Sequence, residues 1–194
     1  KGNYSGSKKL SFKILPAATS KIAVKQTTNS IKASWKKVAG VSGYRVYLYK
    51  GKKLAKSVDT TKRTLTFKKL SKGTGYKIVV KAYKTIDGKK SLSLVSKELL
   101  TATKLSAPTS VKVKAGKKRA IISWTKDKSA NSYTVYYSTN KNSGFKKLTV
   151  IKNSADIKKL TSGKTYYFKV VANKKVGKAV VASDFSKLVS AKIK

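Results

Sequence analysis

The chain has no cysteine, no histidine and no methionine, and only six of its 194 residues are acidic. Each absence closes a class of chemistry. Without cysteine there is no disulfide and no thiolate nucleophile. Without histidine the side chain that titrates near neutral pH is missing, and the common zinc ligand sets go with both. The six carboxylates, Asp59, Asp87, Glu98, Asp127, Asp156 and Asp184, are scattered and do not recur at matched positions as a paired-carboxylate site would. Glycines stand singly in turns, so no phosphate-cradling loop is present. Ser-x-x-Lys spacings at Ser34–Lys37 and Ser123–Lys126 fall on strands of a lysine-rich chain rather than on a helix. The expectation is a protein that is not an enzyme and holds no metal and no cofactor. No apolar run approaches the ~20 residues of a membrane span, so membrane insertion is not expected either. The lack of an initiating methionine and of a signal peptide suggests a processed or excised piece.

What the chain does have is lysine. Lysine and arginine number 47, for a formal net charge of +41 and a pI near 10.4. A positive field of this size attracts polyanions at low salt, although lysine on exposed strands also keeps sheet edges from pairing. Arginine occurs only at positions 45, 63 and 119. That scarcity argues against bidentate phosphate or base-edge readout, so no specific nucleic-acid partner is expected. With 40% apolar residues, 12 glycines and 2 prolines, the composition is that of a folded chain despite its charge.

The chain also repeats itself. "KKLSKGTGYKIVVKAY" from Lys68 returns ninety residues later as "KKLTSGKTYYFKVVAN" from Lys158, and "SWKKVAGVSGYRVYLYK" from Ser34 returns as "SWTKDKSANSYTVYYST" from Ser123. The second offset is one shorter, which places a single inserted residue near "STNKNSG". Within the repeats apolar residues alternate with period two, as on strands: Tyr76, Ile78, Val80 and Ala82 on one face, and Tyr166, Phe168, Val170 and Ala172 in the copy. Ile31, Ala33 and Trp35 are matched by Ala120, Ile122 and Trp124, and Tyr44, Val46 and Leu48 by Tyr133, Val135 and Tyr137. Asp87-Gly88 and Asn142-Ser143-Gly144 mark turns, and no helix is predicted. Pro16 and Pro108 each precede a unit's first strand, and the short linker "TKLSAPTS" predicts a semi-rigid join. Two units follow, residues 16–104 and 105–194. Residues 1–15 belong to neither: Leu10, Phe12 and Ile14 alternate with Lys9, Ser11 and Lys13 as in a half-buried strand without partners.

Seven short strands per unit give an all-β reading of two tandem Greek-key β-sandwiches. Each unit resembles a fibronectin type III domain, of the immunoglobulin-like class, in its lysine-rich Gram-positive bacterial form. The resemblance rests on the Trp late in the second strand (Trp35, Trp124), the Tyr nine residues on (Tyr44, Tyr133), and Leu-x-x-Gly-x-x-Tyr before the sixth strand (Leu70, Gly73, Tyr76; Leu160, Gly163, Tyr166). It implies that Tyr76 and Tyr166 are tyrosine corners whose hydroxyls bond backbone upstream. Residues 1–15 resemble the closing strand of a preceding bacterial immunoglobulin-like domain, the alternative being an extra strand native to the first unit. The family resemblance implies that the chain is an extracellular or cell-surface spacer, monomeric unless that strand pairs between molecules. Lys–Asn isopeptide bonds form in some such modules, and Asn131 and Asn173 are the asparagines to consider, but no acid sits at an inward strand position.

The remaining candidate site lies on the outward faces of the third and sixth strands. Tyr47, Tyr49 and Tyr83, with Lys77 and Lys81 and near Arg45, mark it in the first unit; Tyr136, Tyr167 and Lys169 mark it in the second. Rings interleaved with ammonium groups suit an acidic glycan or an anionic cell-wall polymer, although tyrosine also stabilises sheets with no ligand. The leading expectation is a spacer with diffuse affinity for anionic polymers. The alternative is an adhesin that grips an acidic glycan or host matrix component.

Overall fold

The computed structural model describes residues 14–194, and among these it is all β. The first unit holds β1 (Ala23–Gln26), β2 (Ile31–Ser34), β3 (Gly43–Lys50), β4 (Lys53–Thr60), β5 (Thr64–Phe67), β6 (Gly75–Ile86), β7 (Lys89–Leu92) and β8 (Leu99–Ala102). The second repeats them as β9 (Lys112–Gly116), β10 (Arg119–Ser123), β11 (Ser132–Ser138), β12 (Lys146–Val150), β13 (Ser154–Lys158), β14 (Thr165–Val176), β15 (Ala179–Ala182) and β16 (Val189–Lys192). In each unit a three-stranded sheet (β1-β2-β5; β9-β10-β13) faces a larger one (β4-β3-β6-β7 with β8; β12-β11-β14-β15 with β16), and every pairing is antiparallel. The expected unpaired strand at residues 1–15 lies, except for its last two residues, outside the described residues.

Seven strands become eight segments because the last strand of each unit is broken. β7 and β8 both pair with β6, and β15 and β16 both pair with β14. Across the break two buried serines replace the missing backbone acceptors. Ser93 and Ser96 accept the N–H groups of Ala82 and Val80, and Ser183 and Ser186 accept those of Ala172 and Val170. The central strand therefore keeps its hydrogen bonds while the chain between the serines lifts off the sheet edge.

Period-two alternation becomes inside and outside. Ile31, Ala33, Val46, Leu48, Ile78, Val80 and Ala82 form the first core, and Ala120, Ile122, Val135, Phe168, Val170 and Ala172 form the second. In each, the tryptophan packs edge-on against a tyrosine, Trp35 on Tyr44 at 5.4 Å and Trp124 on Tyr133 at 5.2 Å between ring centroids. Both indole N–H groups are buried without a hydrogen-bond partner, at a cost of about 1–3 kcal/mol each, which the burial of so large a ring must exceed.

Hydroxyl bonding differs from the expectation. Tyr166 accepts the Thr161 N–H at 3.3 Å, but among the described residues Tyr76 makes no such bond. The bond present in both units belongs to Tyr44 and Tyr133, which accept the N–H groups of Val38 (2.9 Å) and Asp127 (2.8 Å) six residues upstream. Aromatic periodicity located all four rings; which hydroxyl meets a backbone N–H depends on the loop that folds over it.

The turns follow their chemistry. Asp87 and Gly88 both have positive φ (49° and 73°), as a two-residue type I′ hairpin requires. The extra residue of the second unit falls between β11 and β12, where Ser138 accepts the Asn140 N–H and donates to the Ser143 carbonyl.

The join is built into both units. Leu105, from the linker, is 1% exposed and belongs to the second core. The Gly73 N–H donates to the Lys104 carbonyl, and the Lys104 N–H donates to the Thr27 carbonyl. A Cβ placed on Gly73 would stand 2.5 Å from Leu105 Cδ2, one on Gly75 would stand 3.0 Å from Val176, and one on Gly177 would stand 2.7 Å from Leu100. Glycine at these three points lets the units approach closely. At the rim Lys104 pairs with Asp184 at 2.5 Å and Lys72 donates to Ser106 at 3.2 Å.

Candidate ligand-binding surface

On the first unit, β3 and β6 place Gly43 opposite Tyr83, Arg45 opposite Lys81, Tyr47 opposite Val79 and Tyr49 opposite Lys77. Facing residues of an antiparallel pair share a side of the sheet, so these eight lie together on the outer face. Tyr83 is nevertheless only 7% exposed. Its ring lies over Gly43, where an added Cβ would come within 2.6 Å of the phenol oxygen, and Lys90 sits 4.7 Å from its centroid. Tyr83 is thus a cover for the sheet rather than an open ring. Tyr47 and Tyr49 stack on each other at 6.3 Å and are half-buried.

The cations of this face are largely matched by acids. Arg45 donates through Nε and Nη2 to Asp59 at 2.6 and 2.8 Å, and Lys90 donates to the same carboxylate at 2.6 Å. The hydrogen bonds from Arg45 hold the Asp59 carboxyl well below the usual carboxylate range, and Asp59 raises the Arg45 guanidinium further above its ordinary value. Lys77 pairs with Glu98 at 2.7 Å while lying 4.9 Å from the Tyr49 ring. On the second unit's other sheet, Asp156 clamps Arg119 in the same way (3.1 and 2.7 Å). Two of the three arginines are therefore already held by carboxylates.

The second unit's outer face is organised differently. Ser132 stands opposite Asn173, Thr134 opposite Val171, Tyr136 opposite Lys169 and Ser138 opposite Tyr167, with Lys147 on β12 beside Tyr136. Asn173 takes the place of Tyr83 and donates to Ser132 and Thr134; Asn131 accepts the Lys175 N–H, so both asparagine amides have hydrogen-bond partners. Tyr167 is half-buried beside Ser138 and Ser190. The Lys169 ammonium lies between two phenylalanine rings, 4.1 Å from the Phe145 centroid and 4.2 Å from that of Phe185. Phe185 meets Tyr136 edge to face at 5.0 Å, and Lys147 lies 5.3 Å from the Tyr136 centroid. Each cation–ring contact is worth about 0.5–1 kcal/mol at an exposed site.

Of this cluster, Tyr136 and Lys169 were legible in the strand alternation. Phe145, Phe185 and Lys147 were not. Phe185 is carried in the lifted segment "SDFS", whose first and last serines anchor it, and "SLVS" stands ninety residues earlier. That repeated Ser-x-x-Ser was the available signal. Among the described residues no three metal-ligating side chains converge. On the inner side of the same sheet, Tyr166 is held below the usual phenol range, first by its hydrogen bond with Thr161 and further by the nearby Lys146 charge.

The fibronectin type III domain model matches residues 17–97 and 106–186, and the chain belongs to that family. Among solved structures it is similar to the FN1-FN3 domains of chicken CNTN1, at 18% identity over 93% of this chain and 69% of that one, with a TM-score of 0.48. It is also similar to a two-domain fibronectin type III segment of chicken tenascin, at 21% identity over 89% of this chain and 97% of that one, with a TM-score of 0.44. No curated protein matches the chain. Tandem modules of this family serve as spacer or interaction domains in larger proteins.

Proposed function

We propose that the pair is a non-catalytic spacer and interaction module of a larger secreted or cell-surface protein of a Gram-positive bacterium, with diffuse electrostatic affinity for anionic polymers such as those of the cell wall. The observation that carries the reading is the disposition of charge. The carboxylates of Asp59, Glu98, Asp156 and Asp184 are paired with particular cations, two arginines among them, and the large surplus is lysine. Lysine ammonium groups attract a polyanion as point charges, without reading its structure. The interlocked join supports the spacer role, because linker residues packed into both units hold two modules at a set relation.

Binding of the whole chain to teichoic acid, a sulfated glycan, DNA and a neutral polysaccharide tests the reading across a salt series. Affinity is expected to follow polymer charge density and to fall linearly with the logarithm of salt concentration, as counterion release dictates. Equal binding of the neutral polymer, or no polyanion binding at low salt, overturns it.

A further inference from the structure

We infer that the second unit also carries a fixed site for an acidic polysaccharide on the outer face of β11, β12 and β14, formed by Tyr136, Phe185, Lys169 and Lys147 and backed by Phe145. It goes beyond diffuse attraction, since it requires a ligand that meets an ammonium and a ring together.

The first support is that the cations here are positioned without being neutralised. On the corresponding face of the first unit Arg45, Lys77 and Lys90 each meet a carboxylate. Among the described residues no ion pair reaches Lys147 or Lys169; aromatic rings hold them instead. A π face restrains an ammonium but supplies no counter-charge, so the positive field remains available to a ligand while the side chain has already lost much of its freedom.

A second support comes from the repeat itself. Lys169 stands where the first unit has Val79, Phe145 where it has Ala55, and Phe185 where it has Val95. Val79, with Tyr47 opposite it, is 5% exposed, so in the first unit this part of the sheet is covered without a lysine. Covering the second sheet did not require a lysine with a phenylalanine on either side. The change in all three positions produces a cation in an aromatic setting, while Phe185 remains 48% exposed on a segment fixed at both ends by Ser183 and Ser186.

The ligand class follows from what these groups recognise. A pyranose offers an apolar C–H face to a ring, and a carboxylate or sulfate on the same or the next sugar meets the ammonium. Single-stranded nucleic acid fits less well. It favours successive open rings along a charged track, whereas Tyr136 and Phe185 meet at 86°, as a corner.

The test is titration of the whole chain with heparin, hyaluronan, uncharged dextran and oligo-dT at low and at raised salt. Phe185→Ala and Lys169→Met are each compared with a Lys112→Gln/Lys114→Gln control on the opposite sheet. Melting curves check the fold, and Phe185→Leu keeps the apolar cover while removing the ring. Heparin or hyaluronan binding is expected to persist at raised salt and to weaken about tenfold in Phe185→Ala, Phe185→Leu and Lys169→Met, with the control affecting only low-salt binding. Folded Phe185 variants that bind as the wild type does, a control that loses as much, or oligo-dT as the ligand that survives salt would each overturn the site. If low-salt binding of polyanions persists in that event, the diffuse reading stands; if no polyanion binds at any salt, both fall.

Discussion

Gly73 and Gly163 occupy the same place in the two units, and comparing them isolates the contribution of the join. Both have positive φ, 58° and 78°, so alanine at either position meets the left-handed strain of about 1–2 kcal/mol. Their surroundings differ. Nothing lies within 4 Å of a Cβ on Gly163, whereas a Cβ on Gly73 would stand 2.5 Å from Leu105 Cδ2 and 3.2 Å from Ser129 Cβ. Leu105 cannot swing aside freely, because it is 1% exposed and packed in the second core. Overpacking of this kind costs about 1–3 kcal/mol beyond the shared strain. Gly73→Ala should therefore destabilise by about 2–5 kcal/mol and Gly163→Ala by about 1–2 kcal/mol. Two modules need not unfold together, so native-state amide exchange is the suitable assay, resolving each unit separately. Faster exchange in both units is expected for Gly73→Ala, although the substitution lies in the first, and in the second alone for Gly163→Ala. Equal losses from the two variants, or a Gly73→Ala effect confined to the first unit, would refute the idea that the join couples the cores.

Asp59 has its folded pKa depressed by Arg45 and Lys90. Its contribution is therefore fully present above the unfolded value of about 3.9 and is lost as pH falls from there toward the depressed folded value. Asp59→Asn should cost about 1 kcal/mol near neutral pH, since the group lies at the surface, and should flatten the acid limb of the first unit's stability profile. Denaturant melts of wild type and variant at pH 3 to 7 check this. Lys56 stands opposite Leu48 on the edge strand β4, pointing toward the core side, and its ammonium reaches the Lys68 carbonyl at 3.1 Å. An inward lysine at an edge discourages strand addition, so Lys56→Val, beside the exposed Leu54 and Val58, should promote self-association visible by sedimentation at raised salt. Spectrophotometric titration should find Tyr166 ionising ahead of the ordinary phenol range, with Lys146→Gln moving it back upward.

The sequence alone determined the strands, their inward faces, the two units and the sandwich class. Period-two alternation, turn residues and a repeated motif are all local, so Ile78, Val80, Phe168 and Val170 were assigned to cores without knowing what faced them. The same alternation put Tyr136 and Lys169 outside. It also put Tyr83 outside and could not register that Gly43, forty residues away, leaves room for that ring to lie flat and become buried. The ion pair of Arg45 with Asp59 depends on the register of β3 against β4, and the bulge at Leu48/Tyr49 enters that register without any sign in the alternation. Phe145 and Phe185 sit in irregular segments where no period exists to read, and they meet Lys169 only because β11, β12 and β14 are neighbours and two serines fix the break in the last strand. Which residues share a face is a property of the strand; which faces, loops and charges converge is a property of the packing between strands distant in the chain, and only the tertiary structure decided it.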